Sequence, residues 1–238
     1  MTTGRHLLIL PPYKGELGRG FMRWRNAIIP LLLIGLSAAM TTRAEGITTY
    51  GAGLQACGVY LDARDQESSD EMNFVDWFSG YLSGVNSSYN RANNILADSN
   101  LKQALYWVEK YCRARPTDSF AAASFALLRA ASATTRTQET KPITYGAGFK
   151  SCGTYLGARQ QRDPDEMAFV DWLGGYLSGV NAISLSDTNI LGTSDITGTI
   201  SWLDTYCGDH GSTRFATAID ARLAASTAAA VAKAPPKR

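Results

Sequence analysis

The chain has 238 residues, 45% of them apolar, 18% charged and 10% aromatic, a globular composition that supports one or two buried cores and is too apolar for intrinsic disorder. Its formal charge of +2 is unevenly spread: residues 1–44 hold six Lys/Arg and one Asp/Glu of the totals 23 and 21, leaving 17 basic against 20 acidic side chains in the body. A mildly acidic body argues against capture of nucleic acid or anionic lipid, and with His6 and His210 as the only histidines most His-based hydrolase, metal and pH-switch readings lose their key residue.

From Met22 the chain reads Met-Arg-Trp-Arg-Asn, then a mostly apolar run from Ala27 to Met40, then Thr42-Arg43-Ala44. This is the order of a secretory signal, with a basic start, an apolar centre and a small-x-small cleavage site after Ala44. The apolar run of 14 residues, interrupted by Pro30, is short of the roughly 20 needed to span a bilayer. Residues 1–21 add nothing to a signal, so Met22 is the expected start. The body is expected in the periplasm, with no stable membrane anchor.

The body is a tandem repeat. Residues 50–128 align without a gap on 145–223 at an offset of 95, with 37 identities in 79 positions. Two copies of this size suit small domains rather than a solenoid of many short units. The expected division is 45–130, a linker at 131–142 ending near Pro142, 143–224, and a disordered Ala-rich tail at 225–238. Cys57 and Cys112 lie 55 apart, as do Cys152 and Cys207. Four cysteines allow three connectivities, and the repeat favours Cys57–Cys112 with Cys152–Cys207. Such a loop closure is worth roughly 4 kcal/mol on the chain-entropy model. A Cys₄ zinc site lacks the CxxC spacing, so no metal or other cofactor is expected.

Four helices are expected per repeat, and no stretch alternates with period two. The first carries Leu54, Cys57 and Leu61, matched by Phe149, Cys152 and Leu156. The second carries Val75, Phe78, Leu82 and Val85, matched by Val170, Leu173, Leu177 and Val180. Ser68 with Glu71 reads as a capping box at its start, and Asp163-Pro164 with Glu166 as its counterpart. The third carries Leu101, Leu105, Val108 and Cys112, matched by Ile196, Ile200, Leu203 and Cys207. The fourth carries Phe120, Leu127 and Leu128, matched by Phe215, Ile219 and Leu223. The fold class is therefore all-α, as two tandem four-helix domains with one intradomain disulfide each.

Several residues invite a functional reading. Asp70, Glu71 and Asp76, with Asp165, Glu166 and Asp171, resemble acid/base carboxylates, although capping and the helix dipole favour acids in a first turn anyway. Gly80 and Gly84, with Gly175 and Gly179, suit a tight helix crossing more than a substrate groove. Trp77, Tyr81 and Trp107, with Trp172, Tyr176 and Trp202, suit a core more than a ligand site. Arg64 and Arg159 suit helix ends more than an anion clamp. No catalytic constellation emerges, and a non-enzymatic role is expected.

Cys-Gly in the first helix, Trp-x-x-Gly-Tyr-Leu-Ser-Gly-Val-Asn in the second and Trp-x-x-x-Tyr-Cys in the third recur as Cys57-Gly58, Trp77–Asn86 and Trp107–Cys112, and as Cys152-Gly153, Trp172–Asn181 and Trp202–Cys207. This layout resembles the Rap/Tai immunity-protein family. The resemblance covers both repeats and implies small periplasmic helical domains with one disulfide, related in fold to acid-stress chaperones of the HdeA kind. It implies a protein partner, a peptidoglycan hydrolase effector delivered by type VI secretion, and leaves room for a homodimer. A periplasmic acid-stress holdase is the alternative. Partner contact is expected where the copies diverge after helix 2, at Tyr89 and Arg91 in one and Ile183 and Leu185 in the other, since Tyr and Arg are enriched at binding hot spots.

Overall fold

The computed structural model describes residues 47–88, 94–97, 99–134, 143–184 and 189–233, and the stretch expected to be a signal sequence lies outside them. Among the described residues eight α-helices follow in chain order: α1 (Cys57–Asp65), α2 (Glu71–Ser88), α3 (Leu101–Ala114), α4 (Phe120–Thr134), α5 (Cys152–Gln161), α6 (Asp165–Ile183), α7 (Ile196–Asp209) and α8 (Phe215–Lys233). The fold is all-helical among the described residues, relieved only by isolated bridges at Ala56–Ser119 and Ser151–Arg214. The disulfides are Cys57–Cys112 and Cys152–Cys207. Each ties the start of α1 or α5 to the last turn of α3 or α7, as the repeat requires.

The first helix of each repeat is shorter than its apolar spacing predicts. Leu54 and Phe149 lie in separate 3-10 turns (Gly51–Leu54 and Gly146–Phe149) and are 66% and 52% exposed. Residues 55–56 are extended instead, because this stretch pairs with the segment before α4: Phe120 N–H donates to Gln55 O at 2.8 Å and Cys57 N–H to Asp118 O at 2.7 Å. Lys150, Cys152, Thr213 and Phe215 repeat the arrangement. Gly51 and Gly146 enter these turns at φ +59°, where a side chain would be strained.

The expected capping box at α2 does not form. Ser68 Oγ accepts from Asp70 N–H at 3.2 Å, whereas Glu71 turns away to pair with Arg64 at 2.5 Å. At α6, Asp163 accepts from Asp165 N–H at 2.9 Å as expected of a cap, but Glu166 pairs with Arg159 at 2.6 Å. A fixed guanidinium one helix away offers the glutamate a charge-assisted bond, stronger than a neutral backbone N–H does. The capping box stands instead on α3, between Asn100 and Gln103, and Asp195 caps α7. Two boundaries also move. Helix α4 runs to Thr134, into the stretch read as linker, with Ala131 buried. Helix α8 continues through 225–233, read as tail, where alanines favour helix.

The two repeats join through α2 and α6. A Cβ at Gly80 would stand under 3.0 Å from the Trp172 backbone, and one at Gly84 would do the same with the Tyr176 carbonyl. Reciprocally, Gly175 faces the Trp77 backbone and Gly179 the Tyr81 carbonyl. The same patch thus serves both sides, the geometry of a two-fold interface within one chain. The extended arm before each repeat crosses over as well. Tyr50 N–H donates to Ser178 Oγ at 3.0 Å and Asn181 Nδ2 to Thr48 O at 2.9 Å. Their mirror images are Tyr145 N–H to Ser83 Oγ and Asn86 Nδ2 to Ile143 O, both 2.8 Å. Each arm is held from its own side by tryptophan: Trp77 Nε1 donates to Tyr50 O and Trp172 Nε1 to Tyr145 O, both at 2.6 Å.

An alanine at Gly80 must therefore push two backbones apart, and overpacking of this kind costs about 2–3 kcal/mol. Gly157, in the middle of α5, has open space where its Cβ would stand. There alanine should gain roughly 0.5–1 kcal/mol from helix propensity. Chemical denaturation of Gly80→Ala and Gly157→Ala should show midpoints shifted in opposite directions.

Candidate functional site

Most residues singled out in sequence belong to the frame. Trp77, Tyr81, Trp172 and Tyr176 are buried and form the core beside the crossing, with Trp77 stacked on Tyr81 at 5.2 Å. Trp107 is buried too, but Trp202 is only half-buried and starts a surface ladder on α7, stacked on Tyr206 at 4.8 Å, which stacks on His210 at 4.1 Å. Arg64 and Arg159 are internal carboxylate clamps rather than plain helix ends. Arg64 bridges Glu71 and Glu109, the latter at 3.1 Å, and Arg159 bridges Glu166 and Asp204, the latter at 2.8 Å. Each lashes three helices of one repeat together.

The acidic triplets are split by the fold. Asp70 and Asp165 are exposed, Glu71 and Glu166 belong to the arginine clamps, and Asp76 and Asp171 face the junction between repeats. Asp171 is 9% exposed with Oδ2 unpartnered, and its Oδ1 lies near Gly51 of the first repeat. Burial lifts the Asp171 carboxyl to about 6, and the charge of Asp76 adds to the lift. Burial likewise lifts Asp76 to about 6, with Lys150 opposing and Asp165 adding. These two acids resist ionisation where the repeats meet.

Two related clefts open along the seam between repeats. The first, about 300 Å³, lies between α4 and the end of α6 and is lined by Val85, Ile95, Phe125, Leu128 and Ile183, with Arg129 and Ser132 at its edge. The second, about 700 Å³, lies between α8 and the end of α2. Its lining includes Ser88, Asp220, Leu223, Ala224 and Thr227, the residues 95 positions away from Ile183, Phe125, Leu128, Arg129 and Ser132. The clefts therefore occupy equivalent places and differ in chemistry. In the second, Tyr176 Oη donates to Asp220 at 2.5 Å. In the first, phenylalanine replaces that aspartate and the buried Tyr81 hydroxyl has no partner. Burial raises the Tyr81 hydroxyl far above its ordinary value.

Of the expected contact residues, Ile183 ends α6 in the apolar cleft, half-buried and packed on the core of the first repeat. Tyr89, Arg91 and Leu185 lie outside the described residues. Phe125, Leu128 and Arg129 were missed as site residues. Their signal was present in the repeat alignment, where Phe125 meets Asp220 and Arg129 meets Ala224. No group of His, Cys, Asp and Glu suited to a metal occurs among the described residues. No helix among them is long and apolar enough to cross a membrane. The two disulfides indicate an oxidising, exported setting.

Comparisons with protein-family models, curated proteins and solved structures find no match.

Because the folded values of Asp76 and Asp171 lie above the ordinary carboxylate value, their protonation favours the folded state. Stability from these groups is present at low pH and lost as pH rises through about 6. Moving from pH 7.5 to 5.5 should add roughly 0.5–1 kcal/mol per group. Thermal melts should show a higher Tm at pH 5.5, and Asp171→Asn should flatten that slope while raising Tm at pH 7.5.

Proposed function

We propose that the protein is an exported, non-enzymatic binding protein of the periplasm that neutralises a cell-wall-cleaving effector by holding it. In this reading each repeat is a four-helix, HdeA-like domain of the Rap/Tai kind, and the chain is released by cleavage near Ala44. The observation that carries the reading is the pair of equivalent clefts with unlike linings on one frame. The residues that build the frame recur in both copies: tryptophan, glycines, serine, asparagine and the disulfide. Of the lining residues Leu128 recurs as Leu223, but Phe125, Arg129 and Ile183 meet Asp220, Ala224 and Ser88, as expected where some lining positions answer to a partner and frame positions to folding.

The acid-stress holdase is the weaker alternative. Such a chaperone comes apart as carboxylates protonate, whereas Asp76 and Asp171 lose a buried charge on acidification. That change favours the folded state rather than dissociation.

The experiment is capture from periplasmic extract with the mature tandem protein, followed by a peptidoglycan-cleavage assay on the captured protein. The reading expects a cell-wall hydrolase bound at neutral pH and blocked in a one-to-one complex. Many unrelated clients bound only in acid would overturn it. The divergent loops are tested on the same partner. Tyr89→Ala with Arg91→Ala should leave Tm within about 2 °C and weaken binding at least tenfold. The pair at Ile183 and Leu185 is the matching variant, and unchanged affinity in both pairs would remove the loops from the interface.

A further inference from the structure

We infer that the apolar cleft between α4 and the end of α6 is a docking pocket for one large apolar side chain of a partner polypeptide, next to an acidic residue that pairs with Arg129. This deepens the binding-protein reading and rests on it. About 300 Å³ is the lower end of ligand cavities, room for a single side chain rather than a cofactor. Val85, Ile95, Phe125, Leu128 and Ile183 present hydrocarbon from both repeats, so the pocket exists only where the repeats meet. Arg129 stands exposed at the rim. Among the described residues no carboxylate pairs with it, unlike Arg64, Arg113 and Arg159.

The second cleft is an internal control for these residues. The same frame stands there with Asp220, Ala224 and Ser88 in place of Phe125, Arg129 and Ile183. The fold therefore requires neither an aromatic ring, nor a cation, nor a β-branched residue at these places. An apolar floor beside an unpaired guanidinium is complementary to an apolar anchor beside a carboxylate. Arginine next to a desolvated pocket is also a composition typical of binding hot spots.

The test uses isotopically labelled full-length mature protein and two blocked dipeptides, N-acetyl-Phe-Asp-amide and N-acetyl-Phe-Lys-amide, followed by NMR titration. The acidic dipeptide should shift the signals of Ile95, Phe125, Leu128 and Ile183. It should bind about fivefold more tightly than the basic one, the size of a partly exposed ion pair. Arg129→Ala should abolish that preference and Arg129→Glu should reverse it, and both substitutions lie on an exposed position that leaves the fold intact. Ile183→Ser, which installs the residue of the other cleft, should weaken both dipeptides. Equal affinities, shifts confined to other residues, or no saturable binding would each overturn the inference. A captured hydrolase that binds Arg129→Glu as well as the native protein would also overturn it, while leaving the binding-protein reading in place. Dipeptide docking without any captured partner would do the reverse.

Discussion

The crossing of α2 and α6 brings two helix backbones closer than any side chain permits, and the rest of the molecule is arranged around that contact. Gly80, Gly84, Gly175 and Gly179 each face the partner helix's main chain where a Cβ would stand. Close approach aligns Ser83 and Asn86 with the arm of the second repeat, and Ser178 and Asn181 with the arm of the first. Those bonds satisfy backbone groups of segments that belong to no helix, which would otherwise be costly to bury. The Trp-x-x-Gly-Tyr-Leu-Ser-Gly-Val-Asn motif thus reads as a joint: tryptophan holds its own arm, glycines admit the neighbour, and serine and asparagine hold the neighbour's arm.

A joint that uses the same surface from both sides carries a consequence for function. Joining two copies in one chain releases each copy from having to match the other outside the joint. Equivalent places can then drift apart, as the two clefts have done. One side keeps a Tyr176–Asp220 bond at its groove, whereas the other has Phe125 in an apolar pocket and the buried Tyr81 hydroxyl is left without a partner. The clamps of Arg64 and Arg159 tie three helices together within each repeat and line neither cleft.

Much of this was legible in the sequence because repetition supplied two readings of every element. The helices of the core, the disulfide pairing and the close crossing followed from spacing that appears twice. Local chemistry was less reliable where a distant partner outcompeted it. Glu71 and Glu166 had the right spacing for capping, but an arginine from the preceding helix claimed both. Leu54 and Phe149 fitted an apolar stripe, yet they end 3-10 turns, and pairing with the segment before α4 or α8 keeps the two residues after each of them extended. The clefts were hidden for a related reason. Their walls come from helices far apart in sequence, and Phe125, Leu128 and Arg129 look like an ordinary amphipathic surface until Ile183 of the other repeat is placed beside them.

The central claim is that the crossing makes the two repeats one cooperative unit, and differential scanning calorimetry of residues 45–238 tests it most directly. If the claim holds, the protein melts in a single transition whose calorimetric and van 't Hoff enthalpies agree, on the order of 130 kcal/mol for a body of this length. Two resolved transitions, or a van 't Hoff enthalpy near half the calorimetric value, would contradict it by showing that each repeat unfolds independently.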